Sequence, residues 1–165
     1  MKVAAIVFTL CVTTLPALAA DDGAKQHARD FATKAAISNM FEVEAGKIEI
    51  AKGRADDAKQ FAQDMVKDHG KAATMLHDAA AQDGVALPDA LDDEHKQKLA
   101  ALQQSDPSNL DQAYLSTQLT AHQQAVELFD AYSKKGPDGQ LKRSAEKLLP
   151  DLRMHLTRVQ ALTSK

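Results

Sequence analysis

Asp68 and His69 stand side by side where the stretch MVKDHGKAATML, Met65 to Leu76, should continue an apolar helical stripe. A neutral imidazole and a carboxylate can ligate a divalent cation together, and they can equally satisfy each other in a closed hydrogen-bonded network. His122 lies in the same kind of setting, amid Leu115, Gln118, Leu119, Val126 and Phe129. His155 falls within the stripe of Leu148, Leu152, Val159 and Leu162, with Asp151 one turn before it. Buried unpaired carboxylates cost several kcal/mol each, so groups of this kind must pair, hydrogen-bond or hold a cation.

Helical geometry tells how these residues can meet. At about 100° per residue, Asp68 falls about 60° to one side of Met65 and His69 about 40° to the other. Upstream, Glu44 lies about 60° from Phe41 and Glu42 about 100° away, which favours Glu44 by periodicity. Height favours Glu42, which is 13 residues before a turn near Ala55, as Asp68 is 13 after it, whereas Glu44 is 11 before. The two offsets differ by only about 3 Å along the axis, so both glutamates remain candidates. His122, 15 residues before a turn centred near Pro137, and His155, 18 after it, are level within about one helical turn. The candidate metal set is therefore Glu42, Glu44, Asp68, His69, His122 and His155, a mixture compatible with one divalent iron, manganese, zinc or copper ion.

Four main helices must carry that set. Ala, Leu, Lys, Gln, Asp and Glu dominate, and scarcely any run is β-rich. The first helix is predicted from about Lys25 to Gly53, and the second from an N-cap at Asp56 to a stop at Gly84 and Pro88. A connection with a short amphipathic segment, Leu91, His95, Leu99 and Leu102, ends at Ser105-Asp106-Pro107, where the third helix is predicted to open. It runs to about Lys135; Gly136-Pro137-Asp138-Gly139 makes a turn, and the fourth helix reaches about Thr163. Pro150 removes a bond to the Glu146 carbonyl and is expected to kink this last helix. Two tight turns flanking one long connection predict an all-α, ferritin-like four-helix bundle, with a crossover containing a short extra helix.

The chain has 165 residues, and residues 1–19 of MKVAAIVFTLCVTTLPALAA read as a signal peptide: a lysine, an apolar run and an Ala17-Leu18-Ala19 end. Cleavage after Ala19 leaves residues 20–165 as one domain with a real core, placed in the periplasm or outside the cell, and with no transmembrane span. The only cysteine, Cys11, goes with the signal, which excludes disulfides and cysteine catalysis. The remaining 19 basic and 23 acidic residues are mixed along the helices, without the basic footprint of a nucleic-acid binder. There is no Gly-rich phosphate loop, no Gly-x-Ser-x-Gly elbow and no His-Glu-x-x-His pair, so hydrolase and nucleotide readings are poor. His27 and His77 read as surface residues and His95 as a capping or packing residue. Gly46 and Gly70 each cost about 1 kcal/mol within a helix, which either a close helix contact or plain tolerance would explain.

The leader, followed by MFEVEAGKIEIAKG, FAQDMVKDHGKAATML, YLSTQLTAHQQAVELF and LLPDLRMHL, resembles in order and spacing the exported bacterial family called domain of unknown function 4142. The likeness covers nearly all of the mature chain. It implies a ferritin-like bundle with recurring positions at Glu42, Asp68, His69, His122 and His155, but no established reaction. Gly70 departs from the hydroxyl residue expected after the Asp-His pair, a change that removes no ligand. A di-iron site is disfavoured, because the residues three before His69, His122 and His155 are Val66, Leu119 and Leu152 rather than glutamates.

Two functions from different classes are expected of such a chain. One is metal binding through the central cluster, for storage, buffering or protection under envelope stress. The other is a metal-free, non-catalytic bundle that binds an envelope partner or a second copy of itself. An enzymatic role would further require an open coordination position and a route to it.

Overall fold

The structure is a computed structural model that describes residues 16–164, with side chains from residue 22 onward. Of the expected signal segment, residues 1–15 lie outside those described. Five helices and no strand occur among the described residues: α1 (Pro16–Lys52), α2 (Asp56–Gln82), α3 (Asp93–Gln104), α4 (Leu110–Lys135) and α5 (Gln140–Thr163). None is long and apolar enough to cross a membrane. The helix-favouring residues extend α1 well upstream of the predicted start at Lys25.

The ends of the helices explain how the chain is routed. Asp56 does not cap α2: Ala55 holds that position without a side-chain bond. Asp111, from the first turn of α4, instead accepts the backbone N–H of Arg54 at 2.8 Å and that of Ala55 at 3.2 Å. At the opposite end, Asp83 follows α2 and accepts the N–H groups of Gln140 and Leu141 at 2.8 and 2.7 Å, satisfying two orphan donors of α5. Gly84 closes α2 at φ +67°, a left-handed conformation suited to glycine, and the Val85 N–H bonds back to the Ala80 carbonyl at 2.8 Å.

These two aspartate clasps place the start of α4 beside the start of α2, and the start of α5 beside the end of α2. The connection between α2 and α4 must therefore travel the length of the bundle, and α3 lies within it, capped by Asp92, which accepts the His95 N–H at 2.9 Å. Helix α4 opens at Leu110, later than the Ser105-Asp106-Pro107 signal predicts. The Asp106 side chain accepts the Ser108 N–H at 2.8 Å and its carbonyl accepts the Asn109 N–H at 2.9 Å, so that signal closes a turn instead. Helix α5 continues through Pro150, whose position is exposed.

Two apolar clusters fill the bundle. Phe31, Leu76, Phe129, Tyr132, Leu141 and Leu152 belong to one, and Phe41, Phe61, Met65, Leu110, Tyr114 and Val159 to the other. Along α2, α4 and α5 the boundary between them falls at His69, His122 and His155, and along α1 near Asn39 and Glu42. The core is thus interrupted midway by a polar layer to which all four long helices contribute.

Candidate metal centre

Each imidazole of this layer comes from a different helix, and all three are buried: His69 at 5%, His122 at 0% and His155 at 3% exposure. Their ring centroids form a nearly equilateral triangle with sides of 5.5, 5.5 and 5.7 Å. Each ring can offer one nitrogen such that the three lie within 4.8 Å of one another.

Outer partners fix which nitrogens are free. The Asn39 amide donates to the His69 carbonyl at 2.8 Å, which leaves its oxygen to accept from His69 Nδ1 at 2.9 Å. His122 Nδ1 lies 3.0 Å from the Gln118 carbonyl, which can only accept, so this ring also carries its proton on Nδ1. Both Nε2 atoms therefore retain a lone pair, and neither has a hydrogen-bond partner. His155 has Asp68 Oδ2 3.4 Å from Nε2, with Nδ1 unpartnered. Outer hydrogen bonds that select the ligating nitrogen are the usual support of metal-bound histidine.

Burial keeps the cluster uncharged. It holds the His122 ring down to about pKa 4, and it lowers His69 well below the ordinary value, with the two neighbouring imidazoles adding to the effect. It lowers His155 as well, against the opposing pull of Asp68. Glu42, 1% exposed, is pushed up to about 8 by burial. Gln118 offsets part of that shift, but neither Glu42 oxygen has a donor in hydrogen-bonding geometry. Glu42 Oε1 lies 3.6 Å from His122 Nδ1, a contact between two neutral groups and not an ion pair.

The six residues singled out in the sequence divide into three groups. His69, His122 and His155 converge. Glu42 and Asp68 stand at the outer nitrogens of His122 and His155, where they can orient the rings. Asp68 was expected to be mostly buried, but its side chain is 32% exposed and also accepts a bond from Lys71 at 3.3 Å. Glu44 does not join the cluster: it is exposed and pairs with Lys47 at 2.7 Å. The buried face of α1 runs through Ala35, Asn39, Glu42, Ala45 and Glu49. Periodicity weights the bulky, half-buried Ile37 and Ile48 on its flank, and so misplaces the centre of the stripe toward Glu44.

Asn39, Gln118, Tyr114 and Glu49 were not foreseen as parts of a polar interior. Glu49 follows Glu42 by two helical turns, and Tyr114, Gln118 and His122 follow at intervals of four; these spacings are their sequence signal. Glu49 is 0% exposed and raised to about 8, chiefly by burial and then by the neighbouring Asp111 carboxyl group. The Tyr114 hydroxyl is buried without a partner. The remaining histidines behave as expected: His27 and His77 are exposed, while His95 bonds to the cap residue Asp92 and packs edge-on against Phe41.

No curated protein matches the chain. Among solved structures it is similar to a crystal structure of a DUF305 fragment from Deinococcus radiodurans, with a TM-score of 0.72 at 12% identity, over 84% of this chain and 95% of that one. At that identity the likeness concerns the fold alone. A family model, by contrast, matches residues 13–162, and the chain belongs to that family, the domain of unknown function DUF4142.

Proposed function

We propose that this is an exported, ferritin-like bundle that binds one divalent transition metal through His69, His122 and His155, serving metal buffering or protection in the cell envelope. The observation that carries the reading is the set of three buried neutral imidazoles, each able to offer a nitrogen within 4.8 Å of the other two, and each with an unpartnered ring nitrogen. A tetrahedral ion about 2.1 Å from each nitrogen needs them about 3.4 Å apart, so the rings would close by no more than about 1.4 Å. An all-imidazole set suits zinc, copper or iron better than manganese, which prefers oxygen ligands. Asn39 and the Gln118 carbonyl would hold the ligating tautomers, and Asp68 would strengthen the His155 ring as a donor from behind. Export is supported by the leader-like start of the chain, and the ferritin-like topology by the lengthwise connection through α3.

Elemental analysis of protein exported to the periplasm and purified without chelator tests the reading. Stoichiometric metal that disappears in His69→Ala and His122→Ala is expected. Metal-free protein whose melting temperature ignores added divalent ions would instead leave a polar core that serves packing alone.

A further inference from the structure

Three nitrogen ligands leave a tetrahedral ion one position short, and what borders that position decides what the site can do. A cavity of about 40 Å³ adjoins the triangle and is lined by His69 and His155 but by neither His122 nor Glu42. It therefore meets the imidazoles on the side away from the buried glutamate. Most of its remaining wall is apolar, with Ala72, Leu76, Ala125 and Phe129 among the contributors. Asp68, one third exposed, and Asp151, exposed, also line it and carry it toward the surface between α2 and α5.

Size and lining together restrict the occupant. A single water needs roughly 10–15 Å³ measured in this way, so the space takes about three or four water-sized groups and excludes a fully hydrated cation or an organic substrate. An anionic ligand would face the Asp68 and Asp151 carboxyl groups and lose its hydration against alanine, leucine and phenylalanine, with only the Ser38 hydroxyl and the Asn39 amide as further polar groups of the wall. His155, at 3% exposure and with Nδ1 unpartnered, forms part of this cavity's wall.

We propose that the cavity is the seat of a small neutral ligand of diatomic size, which completes the coordination of a metal held by the three histidines. The proposal rests on the metal reading above and adds to it an open position with its own access route.

The test uses protein loaded anaerobically with Fe(II) and titrated with nitric oxide under electron paramagnetic resonance, alongside protein loaded with Cu(I) and exposed to carbon monoxide under infrared spectroscopy. Bound metal is quantified in every sample. Wild type is expected to form an adduct in proportion to its metal. Ala125→Leu and Ala72→Leu, which fill the cavity from two different helices, are expected to keep the metal and bind the gas at least about tenfold more weakly. Ala72 is only half-buried, so leucine there disturbs the packing less than at the buried Ala125. Metal-loaded wild type that forms neither adduct overturns the proposal, as do folded, metal-loaded variants that bind gas as tightly as wild type. Failure to take up either metal overturns the underlying metal reading, and the metal analysis tells the two failures apart.

Discussion

Asn39 holds His69 by two hydrogen bonds, one to the ring and one to the backbone, so it fixes both the tautomer and the orientation of that imidazole. Asn39→Ala should therefore leave the fold intact but the His69 ring unanchored, and weaken metal binding by about 10- to 100-fold, read by competition with a chromophoric chelator. Glu49 makes a separate prediction, about pH. Its folded carboxyl titrates near 8 against an ordinary 4.5, so the folded chain keeps a proton that the unfolded chain loses. The stabilisation is fully present below 4.5 and is lost as pH rises through 8. Glu49→Gln cannot ionise, and denaturant melts of the metal-free protein should show stability falling less steeply over that window than in wild type. Parallel profiles would count against the shift, because the histidines titrate alike in both proteins. At this scale the histidines could be read in advance, since a polar ring inside a leucine stripe is conspicuous. Asn39 and Glu42 could not be separated from Glu44, because the alanines that line the true inner face of α1 carry little hydrophobic weight.

Gly46 and Gly70 are indistinguishable as helix-interior glycines, and packing separates them. A Cβ on Gly46 would sit 2.8 Å from Val66 Cγ2 and 3.2 Å from the Ala62 carbonyl oxygen, so α1 and α2 approach each other here through the missing side chain. A Cβ on Gly70 would meet nothing within 4 Å. Gly70→Ala should stabilise the protein by about 1 kcal/mol through helix propensity alone. Gly46→Ala should lose that gain to overpacking and be net destabilising by about 1–2 kcal/mol. Chemical denaturation of both variants checks the opposite signs. The helices themselves were legible from residue propensity and the 3.6-residue period. The starts of α2 and α5 were legible too, but their caps were not, because capping groups arrive from elsewhere in the chain: Asp111 serves the turn before α2, and Asp83 serves α5 from 57 residues away. A local motif such as Asp56, or Ser105-Asp106-Pro107, cannot announce a donor's distant partner.

Across the whole molecule, the polar layer joins elements that the chain connects only through its longest loop. His69 on α2 has to meet His122 on α4 and His155 on α5, while α3 packs outside this layer against α1 and α4. A metal bound at the triangle would tie α2, α4 and α5 directly and would reach α1 only through Asn39 and Glu42. Binding to the folded state alone stabilises by about 2.7 kcal/mol at a free metal concentration about 100 times Kd, and this gain should be absent in His155→Ala. Hydrogen exchange gives the distribution of that gain. Metal should slow exchange most in the middle turns of α2, α4 and α5, less in α1, and least in α3, which supplies no residue to the layer. Equal slowing throughout the bundle would mean that the ion acts only on global unfolding. Protection confined to a single helix would mean that it binds elsewhere, because the triangle draws one nitrogen from each of three helices.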